Sequence, residues 1–255
     1  MLHGICHIAS IPVRINPDDT SEMLTQVLFG ETLSILETFR QWRKVRLSFD
    51  GYIGWVDEKQ FKLLSEESFN EHTNKYAVNH LLWMESSSDF RKVFLPLGAS
   101  LPFAKNMSFK LDNEIFNLSE EVDTAGQSFK KLKKIAFSLM EAPYLWGGRT
   151  PLGIDCSGFT QLIYKTVGLP LKRDAKDQQS EGTPIELLKN TREGDLAFFI
   201  NKNDEIHHAG LILEDNKIMH ACGKVRIDTI DDDGIFNGEK KAYTHKLHSI
   251  KRIII

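Results

Sequence analysis

The stretch YLWGGRTPLGIDCSGF, Tyr144 to Phe159, sets one cysteine, Cys156, between an aspartate and a serine, and the helix-like run CSGFTQLIYKTVG follows. Asp155 is a favourable N-cap, so Cys156 falls in the first helical turn. Unpaired N–H groups and the positive end of the helix dipole favour a thiolate there, which predicts a lowered pKa and an activated nucleophile. Gly158 and the Gly147-Gly148 pair leave room for a substrate backbone to approach. A buried structural cysteine is the plainer alternative. A thiolate nucleophile needs an imidazole that exchanges its proton and protonates the leaving amine. The chain has nine histidines. IHHAGLILED offers His207 and His208, NKIMHACG offers His220, and EDNK between them reads as a hairpin turn. Counted from that turn, His208 and His220 are near neighbours across the hairpin. Adjacent strand residues face opposite ways, so only one of His207 and His208 joins the site, and Gly210 leaves space beside His208. The pattern predicts His208 as base, His220 as the group orienting it, and His207 on the solvated side.

The same residue types admit a zinc reading through Cys156, Cys222, His208 and His220. Those four form no Cys-x-x-Cys or His-x-x-x-His pair, and a cysteine at a helix start suits attack chemistry better. HGICH places His3, Cys6 and His7 together, but a lone cysteine in a strand reads as structural. No metal and no cofactor is expected.

These side chains need a framework. SFKKLKKIAFSLMEA, from Ser128, has apolar residues at helical spacing and ends before Pro143. The segments DLAFFI, HHAGLILED, KIMHACG, KVRIDTI and KLHSIKRIII read as strands. A helix bearing the cysteine followed by a run of strands predicts an α+β domain, with the helix packed on an antiparallel sheet. The first 64 residues instead alternate as short strands with turns, including Asp50-Gly51, which suggests a small β-barrel. LFGETL and PLGASL share an apolar-Gly-x-x-Leu pattern 68 residues apart (98 − 30), the mark of a weaker second copy. Polar stretches at Leu64 to Asn74 and Ser119 to Gln127 serve as boundaries. The expected domains are 1–64, 65–122 and 123–255.

Composition narrows the function classes. With 41% hydrophobic and 26% charged residues among 255, the chain reads as globular. A net charge of −3 gives no footprint for nucleic acid or an anionic membrane. No apolar run approaches the ~18 residues of a membrane span. Three cysteines are not a disulfide framework, and the start lacks a basic, then apolar, leader pattern. The expected compartment is the cytoplasm if the chain begins at Met1, and the outside if a leader precedes it.

The ordered set YLWGGRTPLGIDCSGF, RDAKDQ, REGDLAFF, HHAGLIL and MHACG resembles the NlpC/P60 family of papain-like cysteine peptidases, with intervals of 52 (208 − 156) and 12 (220 − 208) residues. The segments PVRINPDDTSEMLTQVLFGE and GYIGWV resemble the bacterial SH3 domains that precede the peptidase in γ-D-glutamyl-L-diamino acid endopeptidases. The resemblance implies a papain-like α+β peptidase domain behind SH3-like barrels. It also implies a hydrolase that cuts murein peptides between D-Glu and a diamino acid, meso-diaminopimelate or Lys, through a thioester. Small murein peptides with a free L-Ala would be the partners, with no nucleic acid and no membrane. It places Cys156, His208 and His220 in the catalytic set, with Tyr144 near the oxyanion. Asp155 and Ser157 would hold the substrate, Trp146 would wall a pocket, and Glu22 and Tyr52 would reach the substrate's amino end. Ala175 stands where relatives often carry a small hydroxyl residue. Acyl transfer on the same thioester, or a wall-binding SH3 protein without activity, are the competing readings.

Overall fold

A computed structural model describes residues 2–71, 78, 80–101, 104–105, 107–111, 114–120 and 128–253. The chain divides into two compact units, Met1–Gly126 and Gln127–Ile255. The boundary expected at residue 122 lies outside the described residues, as does part of the polar stretch ending at Asn74.

The first unit begins with seven strands: β1 (His3–Cys6), β2 (Ser10–Arg14), β3 (Met23–Leu28), β4 (Thr32–Phe39), β5 (Trp42–Leu47), β6 (Ile53–Asp57) and β7 (Phe61–Leu64), in the order β3-β2-β6-β5-β4-β1-β7. Alternation along each strand supplies the core: Cys6, Ile11, Val13, Val27, Leu33, Val45, Leu47, Val56 and Phe61 cluster, with Tyr52 packed at their edge. A short helix, α1 (Glu66–Glu71), follows. Then come β8 (Leu82–Ser86), β9 (Lys92–Leu95), β10 (Ala104–Lys105), β11 (Ser108–Leu111) and β12 (Glu114–Leu118), in the order β10-β11-β12-β8-β9.

The repeated motif has a structural counterpart. Gly30 and Gly98 both take a left-handed conformation, at φ 76° and 81°. In each turn the next residue donates to a carbonyl three back, Glu31 to Leu28 and Ala99 to Pro96, both at 3.0 Å. The two turns also meet, Ser100 N–H donating to the Phe29 carbonyl at 2.7 Å. Because neighbouring strand residues face opposite ways, Cys6 enters the first core while Ile5 turns the other way. Ile5 joins Phe29, Leu64 and a group from the second sheet including Leu82, Met84, Leu95, Phe109 and Phe116. The 5-stranded sheet therefore shares a core with the first one instead of enclosing its own.

In the second unit, α2 (Phe129–Ser138) buries Leu132, Ile135 and Ala136, the i, i+3, i+4 stripe of an amphipathic helix. The two-stranded β13 (Arg149–Thr150) and β14 (Gly153–Ile154) lead into α3 (Cys156–Thr166), every residue of which is buried. After α4 (Ala175–Gln178) come β15 (Thr183–Ile185), β16 (Leu196–Ile200), β17 (Ile206–Leu213), β18 (Lys217–Cys222), β19 (Lys224–Ile230), β20 (Gly234–Asn237) and β21 (Ala242–Arg252). Their order is β15-β21-β16-β17-β18-β19-β20, and a further β20–β21 pairing closes β16 to β21 into a ring. The helix bearing Cys156 packs on β17 and β18 of this antiparallel sheet, the papain-like α+β arrangement expected from the sequence, behind an SH3-like β unit. No helix among the described residues is long and apolar enough to cross a membrane.

Candidate active site

The site begins at the start of α3. Asp155 caps the helix, its Oδ1 accepting from Gly158 N–H at 2.6 Å, while its Oδ2 accepts from Gly147 N–H at 2.8 Å. The fully buried Arg173 guanidinium completes the arrangement with donors to Oδ1 at 3.1 Å and Oδ2 at 2.5 Å, and a third to Ser157 Oγ at 2.9 Å. Asp155 is thus committed inside the domain by two backbone donors and a bidentate arginine. Its carboxylate clamps the turn before the nucleophile onto the helix, where the resemblance implied a hold on substrate. The glycines follow the same logic. A Cβ on Gly158 would lie 2.3 Å from the Gly148 carbonyl oxygen, so these glycines admit the chain's own backbone, where the sequence reading left room for substrate.

Cys156 Sγ points at the β17 backbone, 3.9 Å from the His207 carbonyl oxygen. Burial pushes this thiol up to about 12, and the Asp155 charge acts the same way against weaker pulls from Ala209 N–H, Arg173 and Ser157 N–H. This corrects the lowered pKa expected from the helix end. A helix N-terminus stabilises a charge by roughly 1 kcal/mol. Desolvating a buried ion costs several kcal/mol, and the cap residue adds a negative charge beside the sulfur. Burial therefore outweighs the helix end and favours the neutral thiol.

The imidazoles assemble as the hairpin count predicted. Asp215 and Asn216 form the turn with φ of 56° and 53°, and the ladder runs from Leu213↔Lys217 to Leu211↔Met219. His208 is buried and His207 exposed, as strand alternation requires. His208 Nε2 lies 2.8 Å from His220 Nδ1. The space at Gly210 is taken by Ile218, whose Cδ1 would sit 2.7 Å from an added Cβ, and by His220, whose Cβ would sit 3.1 Å away. Burial, with His245, His220 and His207 nearby, holds His208 well below the usual imidazole range. On the far side His220 Nε2 lies 3.1 Å from Asp228 Oδ2. Arg226 holds that carboxylate, Nη2 donating to Oδ1 at 3.0 Å with Nε 2.8 Å from Oδ2. Burial alone would raise Asp228, but hydrogen bonds from His220 and Arg226 hold it below the carboxylate range.

The sequence reading missed three of these neighbours: Arg173, Asp228 and His245. His245, on β21, stacks on His208 with centroids 4.1 Å apart. Nitrogens of His208, His220 and His245 converge within 4.8 Å, a spacing that a metal ion also uses. The group the zinc reading would have needed, with Cys156 and Cys222, is not the one that forms among the described residues.

Of the remaining expected residues, Tyr144 is half-buried beside the thiol. Burial, with Cys156 and Asp155 adding, raises its phenol, which stays protonated and able to donate. Ser157 is buried with its hydroxyl facing Arg173 and Asp155. Trp146 is 60% exposed on the turn before β13, and Ala175 opens α4. Glu22 and Tyr52 belong to the first unit: Glu22 is exposed just before β3, and Tyr52 packs at the edge of that unit's core.

Comparison with known proteins agrees with this arrangement. Residues 141–244 match the NlpC/P60 family, and residues 13–61 match the bacterial dipeptidyl-peptidase SH3 domain. A γ-D-glutamyl-L-lysine dipeptidyl-peptidase from Bacillus cereus is 24% identical over 233 residues, covering 80% of this chain and 68% of that protein. Its namesake from Bacillus subtilis is 28% identical over 214 residues, covering 77% and 71%. The crystal structure of an NlpC/P60 family protein from Bacillus cereus superposes with a TM-score of 0.81 at 19% identity, over 98% of this chain and 99% of that one, which speaks to the fold. Family match, relatives and a buried cysteine set against the histidine strand coincide in one domain: the chain carries an NlpC/P60 cysteine peptidase domain over residues 141–244, with a bacterial SH3 domain ahead of it.

Proposed function

We propose that this peptidase hydrolyses the γ-D-glutamyl–L-diamino acid bond of short murein peptides that carry a free N-terminal L-Ala, releasing L-Ala-D-Glu. The observation that carries the reading is the buried Cys156 against the strand of His208, with His220 2.8 Å behind it. The relatives named γ-D-glutamyl-L-lysine dipeptidyl-peptidases supply the substrate class.

Starting from a neutral thiol, His208 takes the Cys156 proton as the sulfur attacks the γ-carbonyl carbon. The carbonyl electron pair becomes an oxyanion, to which the Tyr144 hydroxyl and the Cys156 N–H donate. The C–N bond breaks, the proton on His208 passes to the departing amine of the diamino acid, and a thioester remains. Water then gives a proton to His208 and attacks the thioester carbon; the C–S bond breaks, releasing L-Ala-D-Glu, and the proton on His208 returns to the sulfur to restore the thiol. Glu22 and Tyr52 are the groups we assign, from the resemblance, to the substrate's ammonium. We place the reaction in the cytoplasm, a reducing compartment in which the Cys156 thiol stays available for attack.

The test is mass spectrometry of digests of L-Ala-γ-D-Glu-meso-diaminopimelate, its L-Lys counterpart and their N-acetylated forms. The free peptides are expected to yield L-Ala-D-Glu, with the acetylated ones cut at least ten-fold more slowly, a difference of ~1.4 kcal/mol. Cys156→Ala should abolish turnover. Equal cleavage of free and blocked peptides refutes the amino-end requirement; transfer to an added amine without hydrolysis refutes the hydrolytic outcome. Cell fractionation with most of the protein outside the cell overturns the compartment.

A further inference from the structure

We infer that Asp228, clamped by Arg226, is the positioning residue that sets the proton arrangement of both imidazoles, so that His208 presents a bare nitrogen to Cys156. The inference rests on the proposed role of His208 as base.

The argument is one of donors and acceptors. An ionised carboxylate only accepts, so the contact between Asp228 Oδ2 and His220 Nε2 at 3.1 Å requires the proton on that nitrogen. In neutral His220 the other nitrogen, Nδ1, then carries a lone pair. It faces His208 Nε2 at 2.8 Å, and two lone pairs cannot share that distance, so His208 Nε2 must be the donor. A neutral His208 with its proton on Nε2 has its lone pair on Nδ1, the nitrogen that in the proposed mechanism takes the thiol proton. Three residues on successive strands thus transmit one choice: acceptor at Asp228, donor at His220 Nε2, donor at His208 Nε2.

Arg226 keeps the first member in its accepting form. Its contacts to both Asp228 oxygens, at 3.0 and 2.8 Å, favour the ionised carboxylate and aim one oxygen at His220. Asp228 and His220 are both buried, so water does not compete freely for either group. The register explains the meeting. His220 pairs directly with Arg226 across the β18–β19 hairpin, and Asp228 is two residues on, on the same face of β19.

Asp228→Asn is the informative variant, because an amide can present N–H to His220 Nε2 and reverse the chain of tautomers. In the Ser-His-Asp arrangement the same acid-to-amide change lowers kcat roughly 10⁴-fold through the wrong tautomer. Acting here through one additional imidazole, it should lower kcat at least ~100-fold with KM within about three-fold. The direct measurement is long-range ¹H–¹⁵N correlation on ¹⁵N-histidine-labelled full-length protein at pH 7.5, with His208 and His220 assigned by single-site variants. In the wild type both should be protonated at Nε2, and in Asp228→Asn both at Nδ1. A wild-type His220 protonated at Nδ1 overturns the inference by itself, even if the variant does not fold. So do unchanged tautomers in a folded variant, or a kcat loss matched by an equal loss of thermal stability and a rise in KM. The NMR result stands whether or not the assigned peptide is the substrate, so failure of the substrate reading leaves it readable.

Discussion

Arg173→Met tests the clamp beneath the nucleophile. Arg173 is 2% exposed, and its guanidinium meets both oxygens of Asp155 and the hydroxyl of Ser157. Methionine keeps much of the volume but leaves a buried carboxylate without its cation. Breaking one partner of a buried pair costs about 3–5 kcal/mol. Asp155 keeps the Gly147 and Gly158 N–H donors, so the low end applies, about 3 kcal/mol. With a urea slope of ~1.5 kcal/mol per molar, the unfolding midpoint of the second unit should fall by about 2 M. The three cysteines offer a unit-by-unit readout. Pulsed thiol labelling across a urea series, followed by peptide mass analysis, reports the first unit through Cys6 and the second through Cys156 and Cys222. Only the second transition should move. The control is Asp155→Asn with Arg173→Met, which removes both charges and keeps a capping side chain, so it should be less damaging than Arg173→Met alone. A midpoint shift below about 0.5 M, or a double variant that loses the sum of the two single losses, refutes the claim that the pair is a coupled, buried clamp.

Two further outcomes follow from the electrostatics of the site. Protonation disables His208 as a base, and its pKa is held well below 6.5, so the acid limb of kcat/KM should lie below pH 6.5; a half-point at pH 7 or above contradicts that environment. Because the Cys156 thiol is pushed up to about 12, iodoacetamide at pH 6.5 should label it no faster than the half-buried Cys222, with a rate still climbing past pH 9; a plateau near neutral pH would reveal a thiolate.

What the sequence disclosed, and what it hid, divides along local versus non-local lines. The Asp155 cap and the start of α3 rest on four consecutive residues, and the His208–His220 meeting on one hairpin, so both were legible. Asp228 was within reach of the same count. Taking Gly223 as the next turn pairs Cys222 with Lys224 and His220 with Arg226, which brings Asp228 onto the histidine face. His245 was not within reach, because it arrives on β21 through the pairing with β16 and the ring closure at β20. The thiol was misjudged for a different reason: the helix-end field is visible in a sequence, but the degree of burial that outweighs it is not. The second sheet was expected as a weaker second copy of the first, a barrel over 65–122. The shared glycine turn was readable, yet the destination of Ile5, Phe29 and Leu64 was not, since nothing local says which of two cores a buried side chain enters.

That shared core decides where the chain can be cut. A fragment ending at residue 64 would retain all seven strands of the first sheet and look complete on paper. It would nonetheless strip the cover from Ile5, Phe29 and Leu64. At ~1.5–3 kcal/mol for each large apolar side chain returned to water, the loss is roughly 5–9 kcal/mol, comparable to the whole stability of a small domain. The fragment would expose an adhesive apolar face and aggregate. The first sheet is therefore not a portable cassette, and grafting it onto another peptidase, or shuffling it by recombination, succeeds only when the second sheet travels with it.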